Sequence, residues 1–531
     1  MGSGPTSWIG ARRGAPLPLL GLGLLVGAAA LLPAIYLLVL VLDDVGGAIS
    51  TIATGRTAGL ALQTLALTVA VSATATAIGV PLAWLTARTD LPGRRLWATL
   101  TTLPLVIPSY IGAYLLVSAL GPFGLLRDLL GVERLPSIYG FVGAWLALSL
   151  FTYPLVLLSV RAALMRLDPQ LEDAARSMGR SRRGTFISVV LPQLGPAVAT
   201  GALLVALYVV SDFGAVSIMR FDSLTREIYV TYQSSFDRSS AASLGLLLVA
   251  FTLALLAGQS WVRGSLRYHR AGPGAARPAP TVPLGRWRTP ALAFCSAVTL
   301  AALILPLGVL IYWASKGIGT DSLATGDLLQ NGSNSLLAAS GAAVAAAVLA
   351  VVVAVLAVRF RGPMTLALER ISFAGYALPG VVVALSLVFF GIRVAPSLYQ
   401  TLALLVFALT IHYLPLAVGS VGSSLLQVPP RIEEAARGLG RGPLEVFRTI
   451  TTPLVAGGIW AGMALVFLHA LKELPATLLL APIGFETLAT DIWRQTTRGF
   501  FEAGAVPTIL LLAVAAPPLY VLAGRGTPPS S

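Results

Sequence analysis

The chain has 531 residues, of which 56% are hydrophobic and only 11% are charged, and its mean hydropathy is +0.84. Soluble domains carry about 25% charged residues, so the composition excludes an ordinary soluble domain. Several apolar runs reach the roughly 20 residues that cross a bilayer as a helix. An outer-membrane barrel is excluded because it would show alternating segments of about ten residues. The chain is therefore predicted to be an all-α integral membrane protein.

In chain order, the apolar runs predict about twelve transmembrane helices, six in each half. The residues between the two sets are rich in Pro, Gly, Ala and Arg and predict a basic linker. The predicted parts are a first half (1–262), the linker (263–289) and a second half (290–531). The predicted spans lie near residues 17–42, 58–87, 98–120, 138–160, 193–219 and 241–262, then near 290–314, 334–358, 371–391, 397–425, 454–481 and 501–523.

The charges between the spans predict the orientation. If the N-terminus is cytoplasmic, the inside segments hold 25 of the 36 Lys and Arg residues, as the positive-inside rule requires. Both termini and the linker are then cytoplasmic. The net charge of +14 faces anionic lipid and cytoplasmic partners, so no nucleic-acid partner is expected.

An internal repeat relates the two halves. Residues 172–180, EDAARSMGR, match residues 433–441, EEAARGLGR, at six of nine positions. Six spans per half is an even number, so both halves enter the membrane in the same direction and form a parallel repeat. Outside the repeated phrase, fixed offsets pair Arg88 with Arg359, Pro108 with Pro379, Pro192 with Pro453, and Asp212 with Glu473.

The repeated phrase has the local signals of a short helix. Asp168 and Pro169 suit its N-terminus, and Glu172 and Arg176 form an i,i+4 pair with the acid first. Gly179 is predicted to end the helix in a left-handed conformation. A second short helix is predicted to follow, and Pro192 and Pro453 are predicted to begin the next membrane span. Each loop, about 162–192 and about 426–453, is thus predicted to be a helix–turn–helix on the cytoplasmic face.

This pattern resembles the EAA loop of ABC importer permeases. In that loop, Glu-Ala-Ala is followed by three residues and a glycine, and a proline lies about thirteen residues beyond the glycine. In that family the loops form coupling helices that dock on the ATPase subunit. The departures are Asp173 at an acid position that is Glu434 in the second copy, and "ITTP" where "LP" is usual. The residues that the resemblance assigns to ATPase coupling are Glu172, Asp173, Ala174, Ala175, Gly179 and Pro192, with Glu433, Glu434, Ala435, Ala436, Gly440 and Pro453.

Two such loops in one chain resemble the fused permeases of the ferric-iron type, as do the phrases "LPLVIPSYIGA" (103–113) and "KELPATLLL" (472–480). The resemblance implies a bacterial inner-membrane subunit that works by alternating access. Its partners would be two ATPase copies, which carry ATP and Mg²⁺, and a periplasmic or lipid-anchored binding protein. Ferric iron is the first substrate expected, and thiamine, a polyamine or another small solute is the alternative.

The chain itself is not expected to be an enzyme or to bind a cofactor or a metal. Its two lysines, Lys316 and Lys472, follow Ser315 and Leu471, so the sequence has no P-loop. His412 and His469 are read as packed residues rather than as iron ligands.

Two acids are predicted within the fifth spans, Asp212 and Glu473. Acids inside a membrane are costly and usually functional, which favours a role in a cation pathway or gate. A structural role, with Lys472 neutralising Glu473, and a position facing water at the outer end of the span are the alternatives. Pro108 and Pro379, predicted inside third spans, suit a gating segment. A secondary transporter, the alternative function, would need more ion-coupling groups than these.

Overall fold

A computed structural model describes residues 15–122, 124–234, 238–264, 281–317, 325–360 and 362–524. These residues are almost entirely helical, and the β-structure among them is one isolated bridge between Thr89 and Val282. The predicted all-α membrane fold is confirmed. Most of the predicted linker and both chain ends lie outside the described residues.

The described part of the first half contains six α-helices of at least twelve residues, joined by short helices. Two of the short pieces are irregular, a 3₁₀ turn at Leu103–Val106 and a π-helical turn at Phe186–Val190. The α-helices are Leu17–Asp43, Val45–Ile52, Gly55–Arg88, Arg94–Leu100, Ser109–Leu120, Leu125–Leu130, Phe141–Arg166, Pro169–Ser177, Arg182–Thr185, Leu191–Ser211, Gly214–Ile218, Leu224–Ser234 and Arg238–Gly264.

The second half has a similar but not identical order of elements. It has a 3₁₀ turn at Gly285–Trp287 and π-helical turns at Leu300–Ile304 and Phe447–Thr451. Its α-helices are Arg288–Thr299, Leu305–Gly317, Thr325–Arg359, Pro363–Ser372, Ala374–Ala377, Gly380–Arg393, Leu402–Leu426, Pro430–Gly438, Pro443–Val446, Thr452–Leu471, Pro475–Leu480, Leu488–Thr497 and Phe501–Gly524. Pro169–Ser177 and Pro430–Gly438 are called coupling helix 1 and coupling helix 2 below.

Eleven helical segments of the described residues are long and apolar enough to cross a membrane, when adjoining helical elements such as those of Gly285–Gly317 are joined. The remaining predicted span, near 371–391, corresponds to Gly380–Arg393, which is apolar but has only 14 residues. The reason for its shortness is a break in the third span. The short helices Pro363–Ser372 and Ala374–Ala377 precede it where the sequence predicted one continuous helix.

Pro108 and Pro379 do not lie inside a helix, and this part of the prediction is wrong. Each stands immediately before a helix, Ser109–Leu120 or Gly380–Arg393, with nearly the same backbone angles (φ −56°, ψ 144° and φ −57°, ψ 143°). A proline at that boundary costs no helical hydrogen bond, because the first N–H groups of a helix have no intrahelical acceptor. The prolines therefore mark where each third span is broken.

Pro192 and Pro453 do not begin new helices, and this prediction is also wrong. The short helix of each loop runs through a π-helical turn into the fifth span without interruption. In that turn Leu191 and Thr452 donate to the carbonyl five residues earlier, on Phe186 or Phe447. A wider turn just before each proline makes room for the pyrrolidine ring, which would otherwise clash with the preceding turn.

The chain forms two compact units that do not coincide with the sequence halves. The first unit contains Met1–Val39, Leu329–Ala489 and Ala513–Ser531, so most of the first helix belongs with second-half helices. There the Tyr36 ring packs edge-on against Phe390, with centroids 5.9 Å apart. The boundaries of the two sequence halves stay a prediction.

The second unit contains Leu40–Leu328 and Thr490–Leu512. It combines most of the first half with the first helices of the second half. Within it the ring of Trp313 contacts Phe501, with centroids 5.7 Å apart, and Gly317 lies against the backbone of Glu502.

The orientation can be tested with cysteine labelling, because the native Cys295 is fully buried and gives little background. Ser177 and Ser234 are both exposed. A membrane-impermeant maleimide is expected to label Ser234→Cys in intact spheroplasts and to label Ser177→Cys only after lysis. Labelling of Ser177→Cys from outside would contradict the predicted orientation.

Candidate functional site

Residues at both ends of coupling helix 1 cap the helix. At its N-terminus, Asp168 Oδ1 accepts a hydrogen bond (3.0 Å) from the backbone N–H two residues later, and Pro169 is the first helical residue. At its C-terminus, Gly179 has φ +83°, and Arg180 N donates to Ala175 O (3.2 Å). This is the Schellman arrangement, which satisfies the last carbonyls of a helix. The left-handed glycine is as the sequence predicted.

Coupling helix 2 has the same geometry with a different N-terminus. Pro429 precedes it without a side-chain cap, and Pro430 is the first helical residue. Gly440 has φ +87°, and Arg441 N donates to Ala436 O (3.2 Å). The two C-terminal ends therefore match closely although the sequences that flank the helices differ.

Each coupling helix divides its acids and alanines between two faces. One acid and one alanine of each copy are buried, with exposed fractions of 5% for both Glu172 and Glu433. Residues three apart lie on the same face of a helix, so the acid and the alanine point inward together. The buried members are Glu172, Ala175, Glu433 and Ala436, and the exposed members are Asp173, Ala174, Glu434 and Ala435.

The buried acid of each coupling helix binds an arginine at the end of a second span. Arg88, the last residue of Gly55–Arg88, donates to Glu172 Oε1. Arg359, the last residue of Thr325–Arg359, donates to Glu433 Oε1 from Nη2 (2.9 Å) and Nε (3.2 Å). The sequence paired the two arginines with each other but missed their acid partners. A signal for this contact was present in the sequence, because the arginine and the glutamate each occur at equivalent positions in both halves.

The predicted i,i+4 pairs within the coupling helices are the weaker partners. Arg176 lies 3.8 Å from Glu172 Oε2, and Arg437 lies 3.7 Å from Glu433 Oε2. Both arginines are about 40% exposed, so solvent screens these contacts. By contrast, breaking a buried pair by removing one partner costs about 3–5 kcal/mol. The arginine from the second span is therefore the dominant partner of each glutamate.

Asp212 lies between two helices rather than inside one, which corrects the prediction. It follows Leu191–Ser211, and its Oδ1 accepts hydrogen bonds from Ala215 N (2.9 Å) and Val216 N (3.3 Å), in the helix that comes next. Its Oδ2 accepts a hydrogen bond from Ser109, the first residue after Pro108. Two helix N-termini thus meet this buried carboxylate, and both favour its negative charge.

Glu473 lies at the equivalent break of the second half. It follows Thr452–Leu471, and its Oε1 accepts a weak hydrogen bond from Ala476 N (3.4 Å). Tyr413 donates its hydroxyl to Oε2. Gly380, the first residue after Pro379, packs so closely that an added Cβ would lie 2.6 Å from Oε1. Pro108 is thereby brought beside Asp212, and Pro379 beside Glu473.

The histidines near Glu473 are held by backbone carbonyls. His412 Nδ1 is 3.1 Å from Gly375 O, and His469 Nδ1 is 2.8 Å from Leu465 O. In the part of the chain that the structure describes, no group of three His, Cys, Asp or Glu residues has the geometry to hold a metal ion. The described contacts of both histidine Nδ1 atoms are with backbone carbonyls.

These features define a class of protein: a polytopic membrane protein of two related halves, each presenting a short capped helix from a loop anchored to a membrane span. The sequence profile described as "Binding-protein-dependent transport system inner membrane component" matches residues 79–268 and 346–524. The chain belongs to this family of transport permeases.

Two curated relatives are similar over most of the chain, and a third is similar over about a third of it. The "Fe(3+)-transport system permease protein FbpB 2" of Haemophilus influenzae is 32% identical over 504 residues, which cover 94% of this chain and 96% of the relative. The "Ferric transport system permease protein FbpB" of Actinobacillus pleuropneumoniae is 22% identical and covers 78% of this chain. The "Molybdenum transport system permease protein ModB" of Escherichia coli is 31% identical over 206 residues, 36% of this chain.

Substitutions at Asp212 separate a pathway role from a structural one. Asp212→Asn keeps the oxygen that accepts from Ala215 and Val216, whereas Asp212→Ala leaves these amides unsatisfied at a cost of about 1–3 kcal/mol. Thermal unfolding in detergent is expected to show a clear loss of stability for the alanine variant and little loss for the asparagine variant.

Transport by the asparagine variant then decides the role. A charge required for cation passage predicts loss of transport in Asp212→Asn, and a capping role predicts near-normal transport. The same comparison of Glu473→Gln with Glu473→Ala serves as the matched test in the other half. Normal transport in both alanine variants would contradict the pathway role, and unchanged stability of Asp212→Ala would contradict the capping role.

Proposed function

We propose that this chain is the membrane-spanning subunit of an ATP-driven importer in the bacterial inner membrane, with both termini cytoplasmic. The observation that carries the proposal is the duplicated coupling helix. Both copies end in a left-handed glycine, bury one acid against a second-span arginine and expose the adjacent acid. Two equivalent exposed faces suit two copies of one partner.

The proposed partner at these faces is an ABC ATPase, present as two copies that carry ATP and Mg²⁺. Asp173 and Glu434 are exposed there and are available to basic groups of the partner. ATP can change the conformation of the permease only if the ATPase contacts its states with different free energies. The coupling helices would supply those differential contacts, and the bundle would alternate between inward and outward access.

A secondary transporter is the weaker alternative. It would need ion-coupling groups within the membrane, yet both oxygens of Asp212 already accept hydrogen bonds from the chain. It would also leave the two repeated loops without a role. The family description supports instead a substrate-binding protein on the outer side, periplasmic or lipid-anchored, that delivers the solute.

Ferric iron is the substrate proposed here. The support is similarity over nearly the full length to a relative named as an Fe(3+)-transport permease. The named molybdenum permease matches only a third of the chain. Thiamine, a polyamine and another small solute remain the alternatives, because nothing in the side chains near Asp212 or Glu473 selects among them.

Reconstitution tests the dependence on the ATPase and the identity of the substrate separately. The chain would be reconstituted in proteoliposomes with its ATPase and its binding protein, and uptake of radiolabelled Fe(III), thiamine, spermidine and molybdate would be measured. Uptake of iron that requires ATP hydrolysis is expected. ATP-driven uptake of a different solute would overturn the substrate alone. Uptake by the chain without any ATPase would overturn the proposed function.

The left-handed glycines give a sharper test of docking. Gly179→Val with Gly440→Val forces β-branched residues to positive φ, a backbone conformation that costs about 1–2 kcal/mol or more per site. No atom lies within 4 Å of an added Cβ at either position, so the effect would arise from the backbone and not from a clash. Co-purification of the ATPase is expected to fall strongly.

The matched control is Gly179→Asn with Gly440→Asn, because asparagine tolerates the left-handed region. Its ATPase recovery is expected to lie close to that of the unmodified protein. Full recovery and full coupling in the double valine variant would contradict the docking role of these helix ends.

A further inference from the structure

We infer that Arg88 and Arg359 are positioning residues that fasten each coupling helix to the second membrane span of its half, so that movement of the loop becomes movement of the span. This inference rests on the proposed function, since it specifies how force from an ATPase would enter the membrane. Neither arginine belongs to the repeated loop phrase. Each stands about eighty residues before the glutamate that it binds.

In the first half, the end of the second span contacts the loop through two side chains. The side chains of Arg88 and Glu172 are 2% and 7% exposed. The guanidinium of Arg88 also lies 5.8 Å from the ring centroid of Trp84, one turn earlier on the same span. The Trp84 ring in turn packs edge-on against Phe186, with centroids 4.8 Å apart, in the limb that leaves the loop. One turn of the second span therefore contacts both limbs of the loop.

The second copy reaches the same result by hydrogen bonds. Arg359 binds Glu433 through Nε and Nη2, and its Nη2 also donates to Val428 O (3.1 Å), just before coupling helix 2. Thr451, in the π-helical turn that leads into the fifth span, donates to the same Glu433 oxygen (3.1 Å). This one carboxylate therefore joins the second span, the coupling helix and the start of the fifth span.

Burial makes these junctions resist sliding. If a coupling helix moved away from its span, two opposite charges would separate in a poorly solvated environment without water to replace the lost partner. The helix and the span end therefore move together. The adjacent acids, Asp173 and Glu434, are exposed and remain available to a partner. Neighbouring acids of the phrase thus serve opposite sides: one holds the membrane span and the other faces outward.

The geometry also explains why arginine stands at position 359. Arg359 makes three hydrogen bonds from two nitrogens in one plane, to a side chain and to a backbone carbonyl. A lysine ammonium is a point charge on a flexible stem and does not reproduce this planar arrangement. Arg359→Lys is therefore expected to keep the charge and the fold but to loosen the junction.

The experiment compares three variants in each half: the lysine variant, a neutral pair (Arg359→Gln with Glu433→Gln) and an exchanged pair (Arg359→Glu with Glu433→Arg). The equivalent changes are made at Arg88 and Glu172. Each protein is reconstituted with the ATPase and the binding protein. Three quantities are measured: ATPase recovered with the permease, ATP hydrolysed, and substrate transported per ATP.

A positioning role predicts that the neutral pair and the lysine variant retain the ATPase and hydrolyse ATP, while substrate transported per ATP falls by about tenfold in the neutral pair and less in the lysine variant. The exchanged pair is expected to recover much of the ratio, since it restores opposite charges at the junction. A merely structural role would lower the yield of folded protein but leave substrate per ATP unchanged in the molecules that survive. That result, in either the neutral pair or the lysine variant, would overturn the inference.

A control is available in the pair Asp222–Arg226, an i,i+4 contact that belongs to neither loop and whose aspartate side chain is 62% exposed. Arg226→Gln is expected to leave substrate per ATP unchanged. The unmodified protein distinguishes a failure of the proposed function from a failure of the inference about the arginines. If it fails to recruit an ATPase or to transport with ATP, the proposed function falls and the inference falls with it. If it transports normally and the junction variants do too, only the inference falls.

Discussion

A buried arginine–glutamate pair occurs in both halves of this permease and joins each coupling helix to the end of a second span. Arg88 and Arg359 end the second spans, and their partners Glu172 and Glu433 lie on the inward face of the coupling helices. Because separating such charges away from water is costly, the pair determines which face of each coupling helix points outward. The same three features accompany that contact in each half: an exposed acid, a left-handed glycine and a π-helical turn.

A second constraint acts within the membrane, where breaks in helices require partners for backbone groups that lipid cannot satisfy. The third and fifth spans are each broken, and the two breaks meet at one acid. Asp212 caps the helix that follows it and binds Ser109 at the start of the third-span helix, and Glu473 occupies the same place beside Gly380. A carboxylate between two helix N-termini stabilises both breaks at once. The anchored loops and the capped breaks lie along the same fifth-span helices, Leu191–Ser211 and Thr452–Leu471.

Apolar run length and the repeated phrase were sufficient to predict the helical membrane fold, the two related halves and the coupling helices with their glycine ends. These features depend on local signals, which a sequence displays directly. The Arg88–Glu172 contact could not be predicted with the same ease, because it joins residues 84 positions apart through tertiary packing. The helix starts predicted at the prolines were wrong for a physical reason. Pro192 suggested a helix start, but a π-helical turn before it removes the steric conflict and lets the helix continue. The exchange of first helices between the compact units likewise leaves no local trace in the sequence.

Each coupling helix and its second span are expected to move as one body. Spin labels at the exposed positions Ser177, on coupling helix 1, and Val69, on the second span, allow their distance to be measured by pulsed electron paramagnetic resonance. The complex with its ATPase would be compared without nucleotide and with ATP bound in a hydrolysis-deficient ATPase. We expect this distance to change by less than about 2 Å, the scale of small helix adjustments. A change of about 5 Å, one helical turn, would contradict it.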